Sequence, residues 1–406
     1  MKKIWTIVIA ICLIMAPVGQ ADGAIRDLKD RNTVYNMQMI QEATDGDLTG
    51  FQVEDLEDFD AAEIQDFLDS LNTEAVSGIS FQEMMKEIMA GNLMEVFQTC
   101  AETIKSTLFS ELRTNYTLLG QILLLALIGA IFSGFAGIFG SGHVSETGFY
   151  VVYLLAMAFL AASFFSSVVI ASEVTTDLLE FMQVLLPAYF LAVTMAGGAI
   201  TSAAICGFTI GAIGLVQAVF GQILIPLMRV YMMMVLAGNL YKEEMLSKLT
   251  ELLGNVVFWT CKTMFGIIVG FHVIQGLVLP QADALKNASA MRLAQMIPGI
   301  GGGAGAVSQM VLGSGILIKN TAGAVSVVIL LLLAAVPMMK LFILMVLYYL
   351  AAAAMQPVCD KRLVACMTGA AAGHGLLLKM VGYSLALFGA TIAVICVSTN
   401  AAWYAG

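Results

Sequence analysis

Charge is scarce in this chain. Of its 406 residues only 12% are Asp, Glu, Lys or Arg, against 59% that are hydrophobic. An ordinary soluble domain carries about a quarter charged residues, so a water-soluble globule is excluded for most of the length. Histidine is limited to 3, proline to 7 and cysteine to 7. No HExxH, no GxSxG and no paired membrane aspartate occurs, so zinc-protease, serine-hydrolase and aspartyl chemistry lack their sequence elements, and the chain reads as a non-enzyme. There is no CxxC and no Cys/His cluster, so neither a metal nor any other cofactor is expected. Cys359 and Cys366 read as small apolar residues. His272, in the run Gly270 to Gly276, reads as a hydrogen-bonded core residue, and His374, between two glycines, as a loop or interface residue. An intramembrane enzyme would need one of these two histidines.

What is present is apolar length. From residue 116 onward several segments exceed the roughly 18 apolar residues that suggest a membrane crossing, and mean hydropathy is +0.89. Lys2 and Lys3, the apolar run from Ile4 to Ala16, and the small residues Gly19 and Ala21 predict a secretory signal peptide over 1–21. Residues 22–115 hold 20 of the chain's 29 acids, so the net charge of −10 belongs to one exported segment. That acidity argues against nucleic acid as a partner. Within the segment, Ser80 and Glu83 form a capping box that opens a helix. Leu93, Val96, Phe97, Cys100, Ile104, Leu108 and Leu112 recur at helical spacing, predicting an amphipathic helix that leads into the membrane.

The expected class is therefore all-α: a polytopic membrane protein with a signal peptide (1–21), an acidic exported helical segment (22–115) and a multi-pass domain (116–406). Expected spans are 116–139, 149–170, 184–205, 208–238, 255–279, 299–318, 321–357 broken at Pro337, and 380–403. The segments 184–205 and 299–318 could instead re-enter. An internal duplication runs through this domain at an offset of 111 residues. Pro187 pairs with Pro298, Pro226 with Pro337 and Arg229 with Lys340, giving repeat units of about 149–238 and 255–357. Loop charge puts 171–183 outside and both the stretch before Pro298 and 359–379 inside, so the repeat is expected to be inverted.

Repeated units with matching Pro and Gly interruptions mark many transporters. The candidate pore or gate residues are Pro187, Gly197, Gly198, Pro298, Gly299, Gly301, Gly302, Gly303, Gly305 and Pro337 as helix breakers, with Arg229, Lys319, Asn320 and Lys340 as polar lining. Each has a plainer reading: glycines allow close helix packing, and long cations reach the membrane edge.

These residues also carry a resemblance. Asn115 to Gly120 entering the first span, Leu186 and Pro187 with Gly197 and Gly198, Ile297 to Gly299, Lys319 to Thr321, Pro337 with Lys340, and Gln356 with Pro357 resemble the stage III sporulation protein AE family of endospore-forming bacteria, over residues 93 to about 400. The resemblance implies a multi-pass component of the channel complex between mother cell and forespore, in the mother-cell-derived membrane, with the exported segment in the intermembrane space. It implies as partners a separate ATPase, small membrane proteins and intermembrane ring proteins. Membrane lipids and a second copy of the chain are further candidate partners. Within that complex the chain would act as a permease-like or channel-forming core, or else as a non-conducting scaffold.

Overall fold

The computed structural model describes residues 61–71, 79–89, 142–240, 246–295, 301–357 and 359–404, with a few single positions between 98 and 124. The expected signal peptide, the expected amphipathic helix over 93–112 and the expected first span at 116–139 lie outside the described residues, apart from those single positions. Two short helices come first, α1 (Ala62–Ser70) and α2 (Phe81–Met89). Ile64 and Leu68 of α1, and Phe81 and Met85 of α2, are buried four residues apart, one turn each. Gln65 ties the two together, donating to Ile79 O at 3.1 Å and accepting from Phe81 N at 3.0 Å. The N-cap at Ser80 forms as expected, with Glu83 N donating to Ser80 Oγ at 3.3 Å. Ser80→Ala is expected to loosen α2 by about 0.5–2 kcal/mol, read as faster amide exchange at Glu83.

Long helices follow: α3 (Gly142–Met195), α4 (Ala199–Gln217), a π-helical turn (Ala218–Leu224), α5 (Ile225–Gly238), α6 (Ser247–Gln295), α7 (Gly301–Met355) and α8 (Lys361–Tyr404). With α4, the π turn and α5 continuous, they make five rods, each long and apolar enough to cross a membrane. No strand occurs among the described residues. The π turn has a local cause. Pro226 lacks an N–H and its ring crowds the carbonyl four residues back, and the wider i→i+5 winding just before it makes room. In-helix serines and threonines satisfy their hydroxyls on carbonyls one turn back, as Thr175, Thr209, Ser326 and Thr391 do.

This corrects the expected spans. Residues 149–170 and the start of 184–205 belong to one rod, because no glycine or proline interrupts residues 149–186 and the acids at 173–180 do not stop a helix. Residues 299–318 and 321–357 are likewise parts of α7, which runs on through Pro337. Pro187 is likewise inside α3.

Cross-rod contacts fix direction. Ser167 meets His374 and Tyr189 meets Cys396, both pairs 207 residues apart, so α3 and α8 are parallel. Gly254 meets Leu376 and Gly276 meets Ser398, so α6 is parallel to α8 as well. Tyr348 meets Ser163 while Gly315 meets Ala196, so α7 is antiparallel to α3. The order is up, down, up, down, up, and α8 touches α3, α5, α6 and α7. Two consequences correct the inverted repeat. Each of the two stretches expected as repeat units holds two rods, and α3 and α6 point the same way, so the two stretches do not have opposite orientations. The two stretches expected inside, the one before Pro298 and 359–379, also come at opposite ends of α7, one before its start at Gly301 and one after its end at Met355.

Candidate functional site

The chain breaks at Gly197. This residue has φ of 85°, a conformation open to glycine. Gly197 N donates to Thr194 O at 3.0 Å and Gly198 N to Val193 O at 3.1 Å, which closes α3 with a Schellman motif. One residue later α4 begins, and its N-cap Gly198 has no side chain to offer. The cap comes instead from α6, 82 positions beyond Thr201. Asp283, 1% exposed, accepts from Ile200 N at 2.8 Å and Thr201 N at 2.9 Å. The Thr201 hydroxyl also donates to it. A carboxylate on the free amides of a helix start satisfies both the orphan donors and the helix dipole.

Around the break the other rods are drawn in tightly. A Cβ at Gly315 of α7 would lie 2.8 Å from Ala196 N and 2.9 Å from Met195 C, so the two backbones nearly touch. One turn on, Lys319 is 0% exposed and donates from Nζ to Cys396 O at 3.4 Å. Another turn on, Gly323 packs against Cys396 and Tyr189, whose Sγ and Oη are 2.9 Å apart. On α6, His272 is 1% exposed and neither ring nitrogen has a partner; Phe208 packs edge-on against it at 4.9 Å. Gln275 Oε1 and Asn320 Oδ1 are also buried, and like the His272 nitrogens they have no partner among the described residues. Unpaired polar atoms in a protein interior usually hydrogen-bond to ordered water.

The expected site residues are distributed as follows. Gly197 and Gly198 form the break, Lys319 and Asn320 follow about one turn along α7 from Gly315, which meets Ala196 there, and Pro187 lies in α3 two to three turns before it. Pro298 and Gly299 lie outside the described residues. Gly301, Gly302, Gly303 and Gly305 are in helical conformation at the start of α7 and do not unwind it. Arg229 is exposed on α5, while Lys340 and Pro337 are partly buried in α7, so the two repeat-paired cations stand on different rods. Sequence reading missed Asp283, Gly315, Gln275 and Tyr189. Asp283 could have been found as the lone acid between Glu251 and Asp360; the others carried no signal.

A second buried polar group lies nearer the other end of the rods. His374 Nδ1 is 2.8 Å from Ala370 O, so it carries the proton and donates, and Nε2 accepts from Ser167 Oγ at 3.0 Å. Tyr348 donates to Ser163 Oγ at 2.6 Å. No carboxylate orients this imidazole, and Phe164 and Tyr348 close over it at 5.3 and 5.0 Å between ring centroids. At the α7–α8 turn, burial and then Asp360 push the Cys359 thiol up, away from the thiolate that redox or nucleophilic chemistry needs.

Fold and site together define a multi-pass helical membrane protein whose interior holds a helix break capped from a neighbouring rod. The chain belongs to the stage III sporulation protein AE family, whose model matches residues 79–399. It is similar to the stage III sporulation protein AE of Bacillus subtilis (strain 168), at 22% identity over 334 residues, covering 80% of this chain and 79% of that one. No solved structure matches. The match takes in α2 and ends within α8, so it spans every residue of the break.

Proposed function

We propose that this chain is the permease-like or channel-forming membrane component of the transport complex between mother cell and forespore. Its exported segment then faces the intermembrane space, and energy comes from a separate ATPase subunit. The observation that carries this reading is the helix break at Gly197 and Gly198, with a fully buried Lys319 and the polar atoms of His272, Gln275 and Asn320, which have no partner among the described residues, deeper in the same bundle. Irregular backbone and polar side chains at membrane depth are tolerated where protein or water satisfies them, and they mark substrate paths in many transporters. On this reading the Ser167–His374 pair, with Phe164 and Tyr348 over the imidazole, serves as a bond between rods rather than a catalytic pair.

The test is cysteine accessibility in a background free of native cysteines, with single probes at 199, 275 and 320. Labelling of all three by a membrane-impermeant maleimide is expected. Lys319→Met is expected to lower spore yield at least tenfold while the protein inserts and accumulates normally. Inaccessible probes together with full sporulation of Lys319→Met would sink the conduit. The scaffold reading would then lead. It draws on α1 and α2, which pack on α3 and α7 and hold Glu63, Asp66, Asp69 and Glu83 exposed, an acidic surface suited to docking other subunits.

A further inference from the structure

Halfway along the rods, away from the helix break, lies a belt of charge whose two signs face different sides of the bundle. Glu173, Asp177 and Glu180 recur at the spacing that lines one face of a helix. Glu173 and Glu180 are exposed and Asp177 is partly so. Val169, 45% exposed, continues the same stripe. The cations are elsewhere: Lys262 on α6 and Lys379 on α8, both exposed. They flank one seam, Lys262 Nζ lying 5.4 Å from the Trp259 ring and Lys379 Nζ 5.4 Å from the Phe258 ring. None of these five side chains forms an ion pair with another described residue.

The two patches stand at one height. Ser167 meets His374 and Tyr189 meets Cys396, so Asp177 is level with Ser384 on α8. Gly254 meets Leu376 and Gly276 meets Ser398, so Ser384 is level with Lys262. By the same registers Lys379 is level with Glu173, give or take one residue. α3 and α6 form no packed pair; α8 and the α4–α5 rod stand between them. Opposite charges on two faces, unpaired among the described residues and equal in height, are what a side-by-side contact requires. Two copies inserted the same way up in one membrane can pair only residues of equal height.

We propose that the Glu173–Asp177–Glu180 face of one copy docks against the Lys262–Lys379 face of a second copy. The contact is heterologous, since each copy offers a different face, so it propagates around a ring of copies in the membrane plane. Pairing also takes three carboxylates off an apolar rod where exposure to hydrocarbon is costly, with Trp259 (60% exposed) and Val169 as apolar contacts.

The test uses two tagged full-length chains co-expressed and purified in detergent. Wild-type tags should co-purify. Glu173→Lys with Glu180→Lys, expressed under both tags, should lose at least tenfold of this signal, and so should Lys262→Glu with Lys379→Glu. Co-expressing the two reversed chains together should restore it, because each mismatched face then meets its opposite. A single-copy wild type, reversed chains that self-associate normally, or no restoration in the mixture would each overturn the proposal. If the reversed chains fail to accumulate, a cross-link decides: in a cysteine-free background, one copy carrying Asp177→Cys and another carrying Lys262→Cys should form a mixed disulfide dimer that neither forms alone. Absence of that dimer overturns the interface.

Discussion

Asp283→Ala is expected to destabilise the protein more than any other single substitution on α6. In the native chain this buried carboxylate takes the amides of Ile200 and Thr201 and the Thr201 hydroxyl, the two Thr201 bonds being fully buried. An alanine leaves these donors without the acceptor that α6 supplies. Each stranded buried donor costs about 1–3 kcal/mol, so a total of about 3 kcal/mol or more is expected. The effect is local before it is global: the first turn of α4 should fray, and the amides of Ile200 and Thr201 should exchange at least a hundredfold faster by hydrogen–deuterium exchange. Asp283→Asn keeps an accepting oxygen and should fall between. If Asp283→Ala leaves both the exchange of these amides and the thermal midpoint unchanged, α4 does not depend on a cap from α6. Because the carboxylate joins two rods through residues distant in sequence, its loss should also weaken the hold of α6 on the break. The conduit reading predicts that transport fails in the same variant.

The second large effect concerns Gly315 and has an internal control two residues away. A Cβ at Gly315 would sit 2.8 Å from Ala196 N and 2.9 Å from Met195 C, both backbone atoms that cannot rotate aside. Gly315→Ala must therefore push α7 from the end of α3, at a cost of about 1–3 kcal/mol for an overpacked contact; Gly315→Leu should prevent stable folding. Gly313, on the same helix, has nothing within 4 Å of the place a Cβ would occupy. There alanine gains helix propensity, about 1 kcal/mol relative to glycine, and Gly313→Ala should be neutral or mildly stabilising. Thermal midpoints of the two purified variants check the pair, and equal midpoints would mean that the α3–α7 approach is not tight. The contrast separates the two readings of a glycine-rich stretch: close packing at 315, and only backbone permissiveness at 313.

Much of the architecture was legible because it rests on local chemistry. The apolar length of the rods, the cap at Ser80 and the glycine pair at 197 and 198 all act through neighbours in sequence. The errors came from treating polar interruptions as loops. Glu173, Asp177 and Glu180 interrupt hydropathy but not helix formation, since none removes a backbone hydrogen bond. Lys319 to Thr321 interrupts α7 in the same superficial way, and there the neighbouring rod supplies a carbonyl for the lysine. Counting those interruptions as loops added a crossing to each of the stretches 149–238 and 255–357, and the extra crossings made the two stretches look inverted.

By itself, then, the sequence determined class and composition: a helical membrane protein whose acids gather ahead of its apolar rods, with a set of residues that resembles one sporulation family. Tertiary structure alone decided which of the scattered polar residues meet. Asp283 reaches Thr201 and Lys319 reaches Cys396 only because α6 and α8 run parallel while α4 and α7 run against them. Rod direction depends on where chains turn rather than on hydropathy. A side chain's partner across a bundle is set by register between helices distant in sequence, and no local pattern encodes that register.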